Sequence, residues 1–402
     1  MISPLAALDA RLPPGLLPYA FAATVARTAT EAIAPAVLLV AVGTGQLPAR
    51  AALLLSCYVA TGAVAGPFVG QLLDRTTHPK RFLMLGLGFF AVALAALALG
   101  LGRWSFGVLA LLAGLAGIAQ PVPTSGWTAQ LPRVVTSARL GGAYGVDAAT
   151  YSVGMIAGPG LAGAAFAAAH RAPLLVPATF LLAAILVLAR VRIAPSTHDE
   201  HHDSSLRRGF SVLLRSPTLY RTSIVSTIGF AGQAAFVASA PVVSKTLGAG
   251  LNLVGPLLVS MAVGGLLSTL YLARRPVGDP DRWVELGTWI VAVGFVIMVI
   301  SPSVWLALIG GFVIGTGDGP MFTATLRVRA REAPPAVRGQ VFATAASLRV
   351  GAYALALAGF GALLAHGPNV VLWCGAVVQL VAIGLGRWLP GLVRAAAPDG
   401  AG

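Results

Sequence analysis

Charged side chains are scarce in this sequence. Asp, Glu, Lys and Arg together form 10% of its 402 residues, whereas about 25% is usual for a soluble domain. Hydrophobic residues make up 57% of the chain and the mean hydropathy is +0.84. This composition excludes a soluble globular protein and indicates a chain that crosses a membrane many times.

Motifs for redox, nucleotide and enzyme chemistry are also lacking. The two cysteines, Cys57 and Cys374, fall inside predicted membrane segments, so we expect no structural disulfide. The sequence has no Gly-x-x-x-x-Gly-Lys-Ser/Thr phosphate-binding loop and no nucleophile with a base at motif spacing. We therefore expect no ATP use, no enzyme activity, no cofactor and no metal.

Apolar segments of about 20 residues, each able to cross a hydrocarbon core of about 30 Å, recur along the whole chain. They predict an all-α polytopic membrane protein with twelve transmembrane helices. The predicted spans are 19–43, 51–73, 82–102, 106–130, 140–169, 174–191, 220–244, 253–273, 283–300, 304–326, 341–366 and 370–388.

The net charge of +14 is distributed over short loops rather than one face, which excludes nucleic acid as a partner. With the N-terminus inside, 21 of the 27 Lys and Arg residues fall in predicted cytoplasmic segments and 4 in outside loops. The positive-inside rule then places both termini in the cytoplasm. We expect a multi-pass protein of the cell (inner) membrane that acts as a monomer.

The two halves of the chain resemble each other at a spacing near 198 residues. Arg133 aligns with Arg331, and Gly66 with Gly265. Such a repeat predicts two six-helix halves joined by a cytoplasmic linker. The predicted divisions are an N-terminal half at 1–192, the linker at 193–216 and a C-terminal half at 217–402.

The linker contains three histidines, His198, His201 and His202. Histidine tracts can bind metal ions. A solvated polar loop explains the same residues without a metal, so we expect none there.

Gly62, Gly66 and Gly70 lie on one face of predicted helix 2, where we expect a second helix to approach closely. At the end of this face, Gly70, Leu72, Asp74 and Arg75 stand where the major facilitator superfamily carries Gly-x-Leu-Ala-Asp-Arg-x-Gly-Arg-Lys. The resemblance implies a transporter with a gating loop between helices 2 and 3. It implies that Asp74 accepts hydrogen bonds at the start of helix 11, near Gly339.

Predicted helix 5 contains Gly154, Gly158, Pro159 and Gly163, which resemble the superfamily's antiporter motif Gly-x-x-x-Gly-Pro-x-x-Gly-Gly. Gly154 and Gly158 give the helix a flat face, and Pro159 frees a carbonyl and bends it at the interface between halves. Together with 27–39 and 131–163, the motif resembles the branch that exports drugs and siderophores, including macrolide and enterobactin exporters.

Ionisable residues inside a bilayer cost at least about 2.5–3.5 kcal/mol each, so each is a functional hypothesis. Arg27 and Asp147 both lie about 12 Å from the cytoplasmic ends of their helices, counted at about 1.5 Å per residue. We predict an ion pair between them. Asp318 and Arg349 share a depth of about 13–17 Å, which predicts a second pair.

The same estimate of depth leaves Glu31 without a basic residue as its partner, because Arg27 is assigned to Asp147 and Arg349 to Asp318. Burial of an unpaired carboxyl favours its protonated form, so Glu31 is a candidate for proton coupling, along with Asp147 and Asp318. Alternatively, Glu31 pairs with Arg27 four residues away on its own helix and is structural. Coupling through helix 4 is excluded because Gly117 stands where many proton-coupled relatives carry an arginine.

Gln120 and Gln233 are candidates for the wall of a substrate cavity. The repeat places Gln120 at the site of Asp318. The alternative is that each glutamine only hydrogen-bonds to a neighbouring helix, worth about 0.6 kcal/mol.

These observations predict a secondary active transporter. The leading hypothesis is proton-coupled efflux of an amphipathic small molecule, such as a drug or secondary metabolite, by alternating access. Its partners would be the substrate, protons and the lipid bilayer. An importer or uniporter on the same fold is the alternative. A membrane sensor or scaffold would need no buried carboxyls and would usually bring a soluble output domain.

Overall fold

The structure is a computed structural model that describes residues 15–136, 139–191, 193, 206–274, 279–334 and 337–395, without the side chains of 74, 141, 206–209 and 389–395. This part of the chain contains thirteen α-helices and no strand. The helices are α1 Leu16–Gly43, α2 Pro48–Arg75, α3 Pro79–Gly100, α4 Phe106–Ala119, α5 Leu140–Ala168, α6 Ala172–Leu188, α7 Leu206–Arg215, α8 Pro217–Thr246, α9 Val254–Ala273, α10 Pro280–Val299, α11 Val304–Glu332, α12 Arg338–Leu363 and α13 Pro368–Ala395.

Local sequence explains many of the helix boundaries. Five helices begin with proline, whose missing N–H costs nothing at the first helical position: α2, α3, α8, α10 and α13. Glycines in the left-handed region follow shortly after the ends of α1, α3 and α8, at Gly45, Gly102 and Gly248. The apolar pattern and these stop signals together divide the chain into membrane-length segments.

Eleven helices in the described ranges are long and apolar enough to cross a membrane. The sixth predicted span is a shorter apolar helix, α6, of 17 residues, or about 26 Å at 1.5 Å per residue. This length is at the lower end of the range for a transmembrane helix. The fold is therefore that of a polytopic all-α membrane protein, and the predicted fold class is confirmed.

The fourth predicted span, 106–130, is not one continuous helix. The α-helix α4 stops at Ala119, and Val122–Gly126 follows as a π-helical turn, in which Gly126 donates its N–H to the carbonyl of Pro121. Proline has no N–H to donate, so Pro121 and Pro123 each remove one bond of the α-helical ladder. A 3₁₀ turn at Leu131–Arg133 then leads to α5.

The two halves repeat the same packing. In the first half α1 packs on α5 and α6, α2 on α4, and α3 on α4 and α6. In the second half α8 packs on α12 and α13, α9 on α11, and α10 on α11 and α13. A Cβ added at Gly117 would clash with the carbonyl of Tyr58, and one added at Gly315, 198 residues later, would clash with the carbonyl of Met261. The six-helix halves are thus pseudo-symmetric.

The halves contact each other through α2 against α12 and α5 against α9. Ser56 near the start of α2 donates a hydrogen bond to the carbonyl of Ala354, with 2.6 Å between the two oxygens. Helices α1 and α8 are buried along most of their length. Polar side chains on α1 and α8 therefore face protein rather than lipid.

The described part of the predicted linker is residue 193 and the residues from 206 onwards. Its helix α7 packs on α8 and α12, and the predicted linker histidines His198, His201 and His202 lie outside the described residues. The predicted domain limits and the cytoplasmic placement of the linker stay predictions.

Reporter fusions test this topology. A topology reporter fused at His201 should score cytoplasmic, and one fused at Arg171 should score outside, because the short helix α6 separates the two positions. Matched alkaline phosphatase and green fluorescent protein fusions in cells provide the readout. If both sites scored on the same side, α6 would not cross the membrane and the twelve-span topology would be wrong.

Candidate functional site

The predicted pair between Arg27 of α1 and Asp147 of α5 is present. The guanidinium Nη1 lies 2.8 Å from Asp147 Oδ1, and both residues are almost fully buried, at 0% and 3% exposure. A buried charge pair offsets its desolvation only when its remaining hydrogen-bonding capacity is also filled.

Neighbouring groups supply most of those hydrogen bonds, although Arg27 Nε has no partner among the described residues. Arg27 donates to the main-chain carbonyl of Asp147 at 2.8 Å, to the hydroxyl of Thr150, and to that of Thr128 at 2.8 Å. Thr128 and Tyr19 in turn donate to the Asp147 carboxylate. This network joins α1 and α5 to the polypeptide between α4 and α5, so we assign it an architectural role.

The predicted second pair is also present, between Arg349 of α12 and Asp318 of α11. Their closest charged atoms lie 3.6 Å apart. Gln233 of α8 donates a hydrogen bond to the same Asp318 oxygen at 2.7 Å. Three helices of the second half therefore meet at one carboxylate. Gln233 forms a hydrogen bond to a neighbouring helix, which was the alternative to its predicted role in the cavity wall.

Glu31 lies one turn beyond Arg27 on α1. The local Arg27–Glu31 pair is not formed, and Glu31 makes no hydrogen bond or ion pair with any residue in the described ranges. Glu31 is half-buried.

Three tyrosines lie in the neighbourhood of Glu31: Tyr58 of α2, Tyr151 of α5 and Tyr353 of α12. Since Tyr353 belongs to the second half, Glu31 faces the interface between halves. Sequence patterns gave no sign of this cluster, because its members lie on four helices with no shared spacing.

Gln120 is half-buried just after the end of α4. A side chain added at Gly62 of α2 would meet its Oε1 at 3.1 Å. The carboxamide therefore lies against α2, and its role in a cavity stays a prediction.

The glycine face of α2 is packed closely only at Gly62, which lies against Gly117 of α4 and against Gln120 just after it. The prediction was wrong for Gly66 and Gly70, because an added Cβ there would have no atom within 4 Å. The α-helix α4 ends at Ala119, just past the level of Gly62, and no longer lies beside the rest of that face.

The predicted gating loop begins where α2 ends, at the exposed Arg75. Asp74 lies in the last turn of α2, and its side chain lies outside the described part of the molecule. Its predicted contact with the start of α12 near Gly339 is therefore untested.

The small residues of the antiporter-like motif on α5 contact two different helices. A Cβ at Gly154 would meet the backbone of Arg27 at 3.1 Å, and one at Gly158 would meet the backbone of Glu31 at 2.8 Å. Gly163 lies against Gly255 of α9, where an added Cβ would come within 3.2 Å of its Cα. The carbonyl of Pro159 also faces Gly255. The motif thus fixes α5 on both α1 and the opposite half.

This packing gives a stability prediction. Gly158→Ala should destabilise the protein by about 1–3 kcal/mol, the usual cost of overpacking, because the new methyl group meets main-chain atoms that cannot move aside. Gly145→Ala on the same helix meets nothing within 4 Å and is the matched control. Thermal unfolding in detergent measures both, and equal melting temperatures for the two variants would contradict the close contact.

The predicted span 304–326 ended too early and left Arg329 outside the helix. Arg329 is 2% exposed within α11 and donates a hydrogen bond to Ser226 of α8 at 3.1 Å. The helix continues to Glu332, so its last turns carry both exposed and inward-facing arginines. The number of basic residues near the end of a helix does not show which of their side chains are exposed and which are buried.

No cluster of three or more potential metal ligands exists among the described residues. The described site instead consists of two arginine–carboxylate pairs and one carboxyl without a base, inside a two-halved helical bundle. Buried charges within two packed helical halves are typical of proteins that move a solute across a membrane.

Comparison with known proteins agrees with this description. A sequence model of the Major Facilitator Superfamily matches residues 19–357. The chain therefore belongs to the Major Facilitator Superfamily, and it is a multi-pass membrane transport protein rather than an enzyme.

A curated relative and several solved structures are similar over nearly their full length. The uncharacterized MFS-type transporter y4rN of Sinorhizobium fredii (strain NBRC 101917 / NGR234) is 25% identical over 386 residues, covering 92% of this chain and 93% of that protein. A point mutant of the nucleoside transporter NupG matches with a TM-score of 0.74 at 12% identity, over 94% of this chain and 99% of that one. A bacterial homolog of the human lysosomal transporter Spinster, in an inward-facing conformation, matches with a TM-score of 0.75 at 13% identity, over 95% of this chain and 98% of that one. These structures establish the fold alone.

Proposed function

We propose that this protein is a secondary active exporter that moves an amphipathic small molecule out of the cell in exchange for protons, with Glu31 as the coupling carboxyl. The observation that carries the proposal is the environment of Glu31, a carboxyl at the interface between halves with no basic partner among the described residues. A coupling group must gain and lose its proton as it is exposed to each side in turn.

The other two candidate carboxyls are less suited to this role. Asp147 is held by Arg27 at 2.8 Å and Asp318 by Arg349 at 3.6 Å. Each of these carboxylates therefore already has an arginine as its charge partner. We therefore assign Asp147 to architecture and keep Asp318 as the second candidate for coupling.

Alternating access requires the halves to separate on one side at a time. In the proposal, Gly163 of α5 against Gly255 of α9 forms one closing contact, and Gly70, Asp74 and Arg75 form the gate at the other side. Gln120 flanks the transport path. The N- and C-termini lie in the cytoplasm, and a monomer in the inner membrane carries out transport.

A reconstitution experiment tests the proposal. The protein is placed in proteoliposomes that contain a pH-sensitive dye, a pH gradient is imposed, and a panel of lipophilic antibiotics, siderophores and sugars is added. We expect some compounds of the panel to cause proton release that empty liposomes do not show. Compounds that cross at the same rate with and without the gradient would instead indicate a uniporter.

A further inference from the structure

The short helix α7 does not continue into the membrane span that follows it. Only Ser216 separates the two helices, and its backbone is extended because Pro217, the first residue of α8, disfavours a helical conformation in the residue before it. Leu213 of α7 is 3% exposed and belongs to a small apolar cluster with residues of α8, α12 and the segment after α11. These residues are Leu219, Ala333, Val341 and Ala345. Helix α7 therefore lies where α8 and α12 begin and α11 ends, at the surface of the membrane.

The outer side of α7 is apolar along one edge and basic along another. Phe210 and Leu214, one turn apart, are 45% and 44% exposed. Arg215 is also exposed, and in the sequence Arg207 precedes it by two helical turns. Helix α7 contains no acidic residue. An apolar edge beside basic residues is typical of a helix that lies among lipid headgroups.

The protein itself leaves the bases near α7 without negative charge. At this end of the second half, Asp281 and Glu285 of α10 are paired with arginines of α8, α11 and α13. Arg215, and Arg338 at the start of α12, are exposed and form no ion pair or hydrogen bond with any described residue. An anion at the membrane surface would complement this charge.

We propose that α7 binds anionic phospholipid. In this arrangement Phe210 and Leu214 enter the acyl-chain boundary, and Arg207 and Arg215 bind the phosphates of the headgroups. The site fixes the end of the linker to the membrane surface. It goes beyond the transport function proposed above and does not depend on the direction or the coupling of transport.

Quenching by labelled lipids tests the site in the full-length protein. Phe210→Cys is made together with Cys57→Ala and Cys374→Ala, labelled with the fluorophore NBD, and reconstituted in phosphatidylcholine vesicles. A minor share of the lipid carries a doxyl quencher, as phosphatidylglycerol in one set and phosphatidylcholine in the other. We expect at least about twofold more quenching by phosphatidylglycerol, and a smaller difference at high salt, because headgroup charge drives the attraction. A label at Trp305→Cys, at the opposite end of α11 from α7, should be quenched equally by both lipids.

Two single variants separate a site on α7 from attraction by net charge. Arg215→Gln and Arg282→Gln each remove one exposed positive charge from the same end of the second half. The preference for phosphatidylglycerol should fall by about half in Arg215→Gln, vanish when Arg207→Gln is added, and stay unchanged in Arg282→Gln. Equal melting temperatures in detergent check that the variants are folded. Equal preferences in Arg215→Gln and Arg282→Gln would overturn the site, as would equal quenching by the two lipids in the protein that keeps its arginines.

Acidic residues that precede α7 in the sequence are the competing source of negative charge. They are Asp199, Glu200 and Asp203. If they neutralised α7 in place of lipid, the preference would appear only after Asp199→Asn, Glu200→Gln and Asp203→Asn were combined, and this result would contradict the proposal. The proposal expects the preference before these changes and the same preference after them. None of these measurements involves transport, so their outcome is independent of proton coupling by Glu31.

Discussion

Asp147→Asn is expected to destabilise the protein by about 3–5 kcal/mol, because it leaves the Arg27 guanidinium buried without a compensating charge. Asparagine keeps the size of the side chain and can still accept the hydrogen bond from Thr128, so the loss reflects charge rather than volume. Lower expression and a lower melting temperature in detergent are the expected observations.

Two further variants make this test specific. Asp281→Asn removes the carboxylate of a partly exposed pair with Arg331 and should cost only about 0–1 kcal/mol. Adding Arg27→Gln to Asp147→Asn removes the stranded charge and should recover part of the lost stability, a non-additive result. A melting temperature for Asp147→Asn equal to that of Asp281→Asn would show that the buried pair is not structural.

Glu31→Gln is expected to abolish transport driven by a pH gradient while leaving counterflow exchange intact. The amide resembles the protonated acid, so the variant should fold and bind, yet it cannot carry a proton across. Exchange of labelled for unlabelled substrate needs no net proton movement. Measuring both processes in the same proteoliposomes separates coupling from substrate movement.

Glu285→Gln provides the matched control for this variant. Glu285 pairs with Arg221 and Arg387 in the second half, away from Glu31, and the change should leave gradient-driven transport unaltered. If Glu31→Gln kept full gradient-driven transport, Glu31 would be structural. Asp318→Asn would then be the next coupling variant to measure.

Several parts of this arrangement were predictable from the sequence. Arg27 and Asp147 lie at similar distances from the predicted cytoplasmic ends of their spans, so counting at a fixed rise per residue placed them at one level. The same count predicted the Asp318–Arg349 pair. Burial of a charge in apolar surroundings is costly enough that an opposite charge at the same depth is a strong indicator of a partner.

Rotation of the helices about their own axes was not predictable. A helix that is apolar on all sides gives no periodic pattern to fix which face meets which neighbour. The cluster of Tyr58, Tyr151 and Tyr353 around Glu31 therefore required the structure. For the same reason, the glycine face of α2 was expected to be packed at Gly66 and Gly70, where the structure leaves space.

Helix ends were predictable only where the sequence carries a strong signal. Proline marked the starts of five helices and glycine the ends of three. The π-helical turn after Ala119 instead depends on which N–H groups bond the carbonyls that Pro121 and Pro123 leave free. Arg329 was missed because α11 extends past the apolar segment, and its buried side is decided by contact with Ser226 rather than by local composition.

The most direct test of Glu31 as the coupling carboxyl is proton release on substrate binding. A compound that the reconstituted wild-type protein transports is added to saturation in weakly buffered detergent solution, and the pH change is recorded. Wild type should release up to about one proton per molecule, and Glu31→Gln should release none while still binding the compound. Equal proton release from both proteins would contradict the central role of Glu31.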